Sequence, residues 1–334
     1  MRVLMTGATG FIGGRLARAL LAQGHELVCA VRDPARLDLG PGSWRALQAD
    51  LSRLTDAAGW RADLAGIDAV VNAVGILRES AGQTFDALHA RAPIALFEAC
   101  VQAGVPTVVQ VSALGADDAA QSRYHRSKKQ ADDALRAMPL AGAVVQPSAV
   151  YGPGSEAAAL FNTLATAPML LMPQAGAMAM QPVHVDDVVE GVVRLLQAPP
   201  ARVATLAFVG PQALSMAGYL RALRAALGLG GGLPVLPMPT WAFLAGARLA
   251  AFVPGSVLDA ETAGMLLRGN AAPADDFTRL LGRSPRPVSA FIPPAEAPAL
   301  RRAAQRPLRL ALAAAALGLG MAAVAFLAAG FRMA

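Results

Sequence analysis

An α/β fold built on a doubly wound parallel sheet is predicted by three observations. Six short apolar runs alternate with Ala/Leu-rich stretches in the first half of the chain, at residues 2–6, 27–31, 45–49, 69–72, 108–112 and 143–146. The first run passes straight into a glycine-rich turn that opens a periodic helical stretch. Past about Pro147 the alternation loosens into pieces punctuated by Pro and Gly, the pattern of a smaller second lobe. Alternating strand and helix signals imply βαβ units, whose crossovers place helices on both faces of the sheet and bury the strands.

The expected organisation is a sheet domain over residues 1–150, a smaller lobe over 151–295, a basic linker over 296–309 and a C-terminal hydrophobic helix over 310–331. That last segment has 22 residues without charge or proline. At about 1.5 Å per residue it is long enough to cross a hydrocarbon layer of roughly 30 Å. Its ten alanines and three glycines suit equally an Ala-rich helix buried against the body or another subunit. Arg301, Arg302, Arg306 and Arg309 precede it and Arg332 alone follows, so a spanning helix would leave the body on the cytoplasmic face of the membrane. Because a strand begins at the first residues, no export leader is expected before the fold.

Composition narrows the classes. The chain is 55% hydrophobic with 16% charged residues, which excludes a disordered polymer. Its formal charge is +6, but the arginines are scattered rather than clustered, so no nucleic-acid partner is expected. Cys29 and Cys100 stand far apart, and with four histidines they offer neither a disulfide framework nor a metal site.

The run Thr6-Gly7-Ala8-Thr9-Gly10-Phe11-Ile12-Gly13 follows a strand and enters a helix. Gly7 permits a tight turn, Gly10 a close approach of backbone to a diphosphate, and Gly13 close packing of helix on sheet, while the helix N-terminus offers free N–H groups. The spacing G-x-x-G-x-x-G after threonine resembles the short-chain dehydrogenase/reductase superfamily, especially its extended and atypical branches, which implies a Rossmann-type domain and a nicotinamide dinucleotide. Arg32, just past the second strand, can offer a planar fork to a ribose 2′-phosphate and favours NADP(H); neighbouring Asp33 keeps NAD(H) open. The resemblance further implies that Asp50 and Leu51 approach the adenine, that Asn72, Ala73, Val74 and Gly75 line the cofactor, and that backbone from Pro147 to Val150 meets the nicotinamide.

Tyr124 and Lys128 form a Y-x-x-x-K pair twelve residues beyond Ser112. On a helix they lie one turn apart, where an ammonium would favour the ionised phenol and make it an acid/base near neutral pH. The chain has only two lysines, Lys128 and Lys129, and three tyrosines. In the resemblance Lys128 also binds the nicotinamide ribose and Ser112 polarises the substrate oxygen. His184, in Gln181-Pro182-Val183-His184-Val185-Asp186-Asp187, is expected to brace the second lobe, with the aspartates capping a helix.

Segments 111–116, 181–188, 207–211 and 260–270 resemble the branch that includes the NADPH-binding accessory subunit of respiratory complex I and its bacterial relatives. That resemblance implies two readings. One is a membrane-anchored oxidoreductase transferring hydride on a small or apolar carbonyl or hydroxyl substrate. The other is a non-catalytic nucleotide-binding subunit or assembly factor of a membrane complex. No asparagine lies between Thr84 and Gly104 to support a proton relay.

Overall fold

The computed structural model describes residues 1–250, 252 and 259–316, with side chains to Pro307. Strands β1 (Arg2–Thr6), β2 (Glu26–Val31), β3 (Trp44–Gln48), β4 (Ala69–Asn72), β5 (Thr107–Val111), β6 (Ala141–Pro147) and β7 (Ala204–Phe208) form one sheet in the order β7-β6-β5-β4-β1-β2-β3. All six pairings are parallel. This is a Rossmann-type sheet, and it explains why β4 and β5 are buried throughout and β6 along most of its length: both faces are covered. The order reverses between β1 and β4, so their carboxyl ends diverge and leave the crevice in which such sheets bind ligands.

Helices α1 (Phe11–Ala22), α2 (Ala92–Ala103), α3 (Arg123–Ala137), α4 (Glu156–Thr166) and α5 (Val185–Gln197) follow in chain order. Leu96 and Phe97 of α2 and Ala131 and Leu135 of α3 share a buried cluster with Leu4, Val70, Val108 and Val144 of the sheet. Helix α1 packs beside α5. The chain forms two compact units. The first comprises Met1–Pro147, Val185–Phe208 and Pro273–Ser284, so two stretches from the span expected for the second lobe belong to the sheet domain. They supply α5, β7 and a helix at Asp275–Leu281, whose Phe277 stacks on Phe208 with ring centroids 4.1 Å apart.

The second unit comprises Ser148–His184, Val209–Ala272 and the chain from Pro285. It adds α6 (Met216–Ala226), α7 (Thr240–Ala250), α8 (Ala260–Arg268) and α10 (Ala297–Ala316); the Asp275–Leu281 helix of the first unit is α9. Its core gathers Tyr151, Phe161, Tyr219, Leu220, Leu223 and Phe291.

Residues 297–309, expected as a linker, are the body of α10, because Ala, Leu, Arg and Gln are strong helix formers and prevail over an internal Pro307. Of the hydrophobic helix expected over 310–331, residues 310–316 are described as part of α10, and the rest of that segment lies outside the described residues. Among the described residues no helix is long and apolar enough to cross a membrane.

Candidate dinucleotide and catalytic site

The glycine turn lies at the switch between β1 and β4. Gly7 has φ +73°, and a β-carbon there would come 2.5 Å from the Ala73 carbonyl oxygen; at Gly13 one would come 2.1 Å from the Gly7 oxygen. Both positions therefore exclude every side chain, which lets α1 seat against the turn. Gly10 N–H donates to the Gly7 carbonyl at 2.9 Å. Helix α1 begins at Gly10 with no side-chain cap and no acid in its first turn, so the positive end of its dipole is not neutralised from within. Thr9 and Gly10 are exposed, Phe11 and Ile12 half-buried. The Arg15 guanidinium lies 4.6 Å from the Phe11 ring centroid and donates to the Phe11 carbonyl at 3.0 Å, adding cationic charge to this end of the helix. A side-chain-free loop at a helix N-terminus fits a diphosphate.

Past the second strand, Arg32 is exposed. Asp33 instead caps the Pro34–Arg36 turn, accepting the Ala35 N–H at 3.1 Å, which leaves the arginine as the outward cation there. Asp50 accepts the Ser52 N–H at 3.1 Å and hydroxyl at 2.7 Å, and Leu51 beside it is buried. The Asn72 side chain is used inside the sheet: it accepts the Thr6 hydroxyl and donates to Gln110 Oε1 at 2.6 Å, a buried polar rung across β1, β4 and β5. That rung fixes where Ala73, Val74 and Gly75 emerge, with Ala73 against Gly7. Pro147 ends β6, where its carbonyl accepts the Leu114 N–H at 2.9 Å; Val150 lies in the second unit.

Ser122 caps α3 by accepting the His125 N–H at 3.1 Å, and this sets Tyr124 and Lys128 one turn apart on the helix. Lys128 is 3% exposed, and its ammonium donates to Val74 O at 2.9 Å and Val111 O at 3.2 Å, bridging the ends of β4 and β5. Burial pulls its pKa down to about 8, although the charge of Asp132 opposes the shift. Tyr124 behaves otherwise than expected. Burial, followed by the Asp132 charge, pushes the phenol up to about 12, since the lysine is turned to two carbonyls and low-dielectric surroundings disfavour the phenolate. The Ser112 hydroxyl donates to Asp132 Oδ2 at 2.5 Å. Burial raises the pKa of that carboxyl above the ordinary range. Its other oxygen, Oδ1, is buried and has no hydrogen-bond partner among the described residues.

Three residues here escaped the sequence: Asp132, Ser127 and His89. His89 sits on a π-helical stretch, Asp86–Arg91, within the span where an asparagine was sought. Its Nε2 accepts the Ile76 N–H at 2.9 Å, so the proton of the neutral ring is on Nδ1, 3.1 Å from Ser127 Oγ. Ser127 in turn donates to the Tyr124 carbonyl at 2.8 Å. The imidazole meets the Tyr124 ring edge-to-face at 5.3 Å. Burial, with the Lys128 charge second, drives its pKa down to about 2, so it is neutral at all ordinary pH. The available signal was a histidine, one of four in the chain, in the Ala/Leu-rich stretch between Asp86 and Arg91.

In the second unit His184 is buried beside Tyr151 and Phe291, with Nδ1 3.0 Å from Arg286. In the first, Asp187 is fully buried and pairs with Arg283 at 2.7 Å, which also holds Glu190 at 2.5 Å and so ties α9 to α5. Cys29 and Cys100 are buried free thiols.

The chain is similar to several known proteins. A ceramide reductase of Caulobacter vibrioides is 31% identical over 59% of this chain and 61% of its own length. The NADH dehydrogenase [ubiquinone] 1 alpha subcomplex subunit 9 of Mus musculus is 27% identical over 61% of this chain and 55% of its own. The matched part is thus less than two thirds of either relative. Among solved structures, MoeE5 in complex with UDP-glucose and NAD is 25% identical with a TM-score of 0.61, covering 86% of this chain and 94% of that one. Residues 3–208, more than half of the sequence and including the whole glycine turn and the Tyr124–Lys128 helix, match one family, and the chain belongs to it: the NAD-dependent epimerase/dehydratase family.

Proposed function

We propose that the protein is a reductase of this family that uses NADP(H) in preference to NAD(H) and acts on a small or apolar carbonyl compound. One observation carries the reading: the glycine turn, the Ala73–Gly75 segment and Lys128 are joined by direct contacts, Tyr124 and Asp132 stand on the helix that carries Lys128, and Ser112 directly follows the strand end to which Lys128 donates. When bound, the nicotinamide supplies or accepts a hydride. Residues 7–13 would hold its diphosphate, Arg32 a 2′-phosphate, Asp50 and Leu51 the adenine, and Lys128 the ribose hydroxyls. Tyr124 holds its proton at neutral pH, the form that acts as general acid toward a substrate oxygen during reduction. Ser112, anchored by Asp132, orients that oxygen. The ceramide reductase relative supports an apolar substrate.

The test is Tyr124→Phe in the full chain. Turnover, followed at the nicotinamide absorbance across carbonyl substrates, should fall about a hundredfold or more, with nucleotide affinity retained. Unchanged turnover refutes the assignment. Arg32→Asp should shift preference from NADP(H) toward NAD(H).

The mouse complex I relative supports a second reading, a subunit that holds its nucleotide without turning it over. Copurification of stoichiometric partners with a slowly exchanging nucleotide and no turnover in any substrate screen would establish it. We propose further that residues 310–331 anchor the protein with its body on the cytoplasmic side; resistance to carbonate extraction, lost on deleting 310–334, tests this.

A further inference from the structure

We propose that the second unit also docks by one apolar face onto an anionic lipid bilayer. The proposal goes beyond the reductase reading and does not depend on the segment over 310–331.

Helix α7 carries the face. At 100° per residue, Trp241, Ala245, Arg248 and Leu249 fall within about a third of the helix circumference, and Phe252 follows in the turn past the helix, its N–H donating to the Leu249 carbonyl at 3.1 Å. Trp241 is 74% exposed, Leu249 69% and Phe252 85%. Ala247 is the buried residue of this helix. Beside α7 the strand Leu170–Pro173 pairs with Val235–Met238, placing Leu171 opposite Leu236. That pair is exposed as well, at 58% and 46%. Large apolar side chains exposed together mark a binding surface. Tryptophan, phenylalanine and leucine on one face of a helix that carries an arginine suit the bilayer interface.

Charge selects this occupant over a second copy of the chain. The first unit has 19 basic and 19 acidic residues, whereas the second has ten arginines against four carboxylates. The whole net charge of +6 therefore resides on the unit that bears the apolar face. No Asp or Glu occurs between Glu190 and Asp259, a span that contains all of α7. Two such units would repel each other, while anionic headgroups attract both.

Trp241 reports on the face directly. The other two tryptophans differ from it: Trp60 is fully buried, and the Trp44 indole donates to Gly40 O at 3.0 Å. Full-length protein is mixed with phosphatidylglycerol/phosphatidylcholine vesicles whose acyl chains are brominated. The expected result is a blue shift and quenching of emission that Trp241→Phe abolishes, that 1 M salt or pure phosphatidylcholine weakens, and that Leu249→Ser/Phe252→Ser removes while tail-driven cosedimentation persists. If the tail alone fails as an anchor, deleting 310–334 leaves cosedimentation with anionic vesicles and the Trp241 shift unchanged; if it does anchor, the deletion abolishes binding to pure phosphatidylcholine vesicles and keeps the Trp241 shift on anionic ones. The proposal is overturned if Trp241 emission is already blue-shifted without vesicles, because the chain itself or a second copy then covers the face. It is equally overturned if vesicle-bound protein shows no Trp241 quenching, or the same quenching on neutral and anionic lipid.

Discussion

Gly13→Ala tests the glycine turn at its tightest point. The added β-carbon would start 2.1 Å from the Gly7 oxygen and 2.7 Å from its carbonyl carbon, both backbone atoms that no rotamer change can move aside. Bringing the closer contact to 3.0 Å separates α1 from the turn by about 0.9 Å. Overpacking of this kind costs about 1–3 kcal/mol of stability. The functional loss is separate, because the displaced first turn of α1 carries the N–H groups that would bind the diphosphate. A hydrogen bond to a charged group contributes about 1.5–3 kcal/mol, so losing one weakens nucleotide binding by roughly tenfold to a hundredfold. Gly24→Ala is the control: its φ of +78° makes alanine strained, at about 1 kcal/mol, but nothing lies within 4 Å of the new carbon. Fluorescence titration with NADPH and NADH, paired with thermal melting, separates the two effects. Gly24→Ala should melt lower and bind normally, whereas Gly13→Ala should melt lower and bind poorly. If Gly13→Ala binds either nucleotide within twofold of the unmodified protein, the turn is not the diphosphate site.

Buried ionisable groups give the remaining predictions. Lys128 has a folded pKa near 8 against about 10.5 unfolded, so between these values the unfolded chain binds more protons and stability rises with pH, by about 3 kcal/mol across the window; Lys128→Met should flatten that rise in urea melts between pH 7.5 and 10.5. His89, at about 2 against about 6.5, has the same sign in acid: stability falls as pH drops below 6.5, by about 2 kcal/mol at pH 5. His89→Asn should remove this loss, and an unaltered acid profile would show that the ring is not held neutral. Arg283→Ala leaves the fully buried Asp187 without its cation and should cost about 2–3 kcal/mol in chemical denaturation, largely recovered in the Arg283→Ala/Asp187→Asn double variant.

Strands were legible where apolar runs and flanking glycines coincided. The expected spans 2–6 and 69–72 are the observed β1 and β4, and the other four differ at their ends by one or two residues. Strand β7 was hidden because it is a sheet edge: Ala204-Thr205-Leu206-Ala207-Phe208 is partly exposed along most of its length and its alanines resemble the surrounding helical composition. At the site, Tyr124 and Lys128 were visible through their i, i+4 spacing and the rarity of lysine. Asp132 and His89 were not, since the former is one of two adjacent aspartates on a polar helix and the latter reaches Ser127 from 38 residues away. The pKa of Tyr124 was unreadable for a related reason: the direction of the Lys128 ammonium depends on carbonyls at the ends of two strands.

The return of the chain to the sheet has a consequence for synthesis. Residues 1–147 emerge with six strands, but β6 has an unpaired edge until Ala204–Phe208 arrives, and the aromatic partner of Phe208 is delayed further, to Phe277. At about 5–20 residues per second a ribosome needs about 3–12 s to translate from Pro147 to Phe208. For that interval an apolar strand edge is open to pairing with other nascent chains. Early stop codons placed between 147 and 204 should therefore yield aggregates, whereas those placed just after 284 leave the first unit with all its segments.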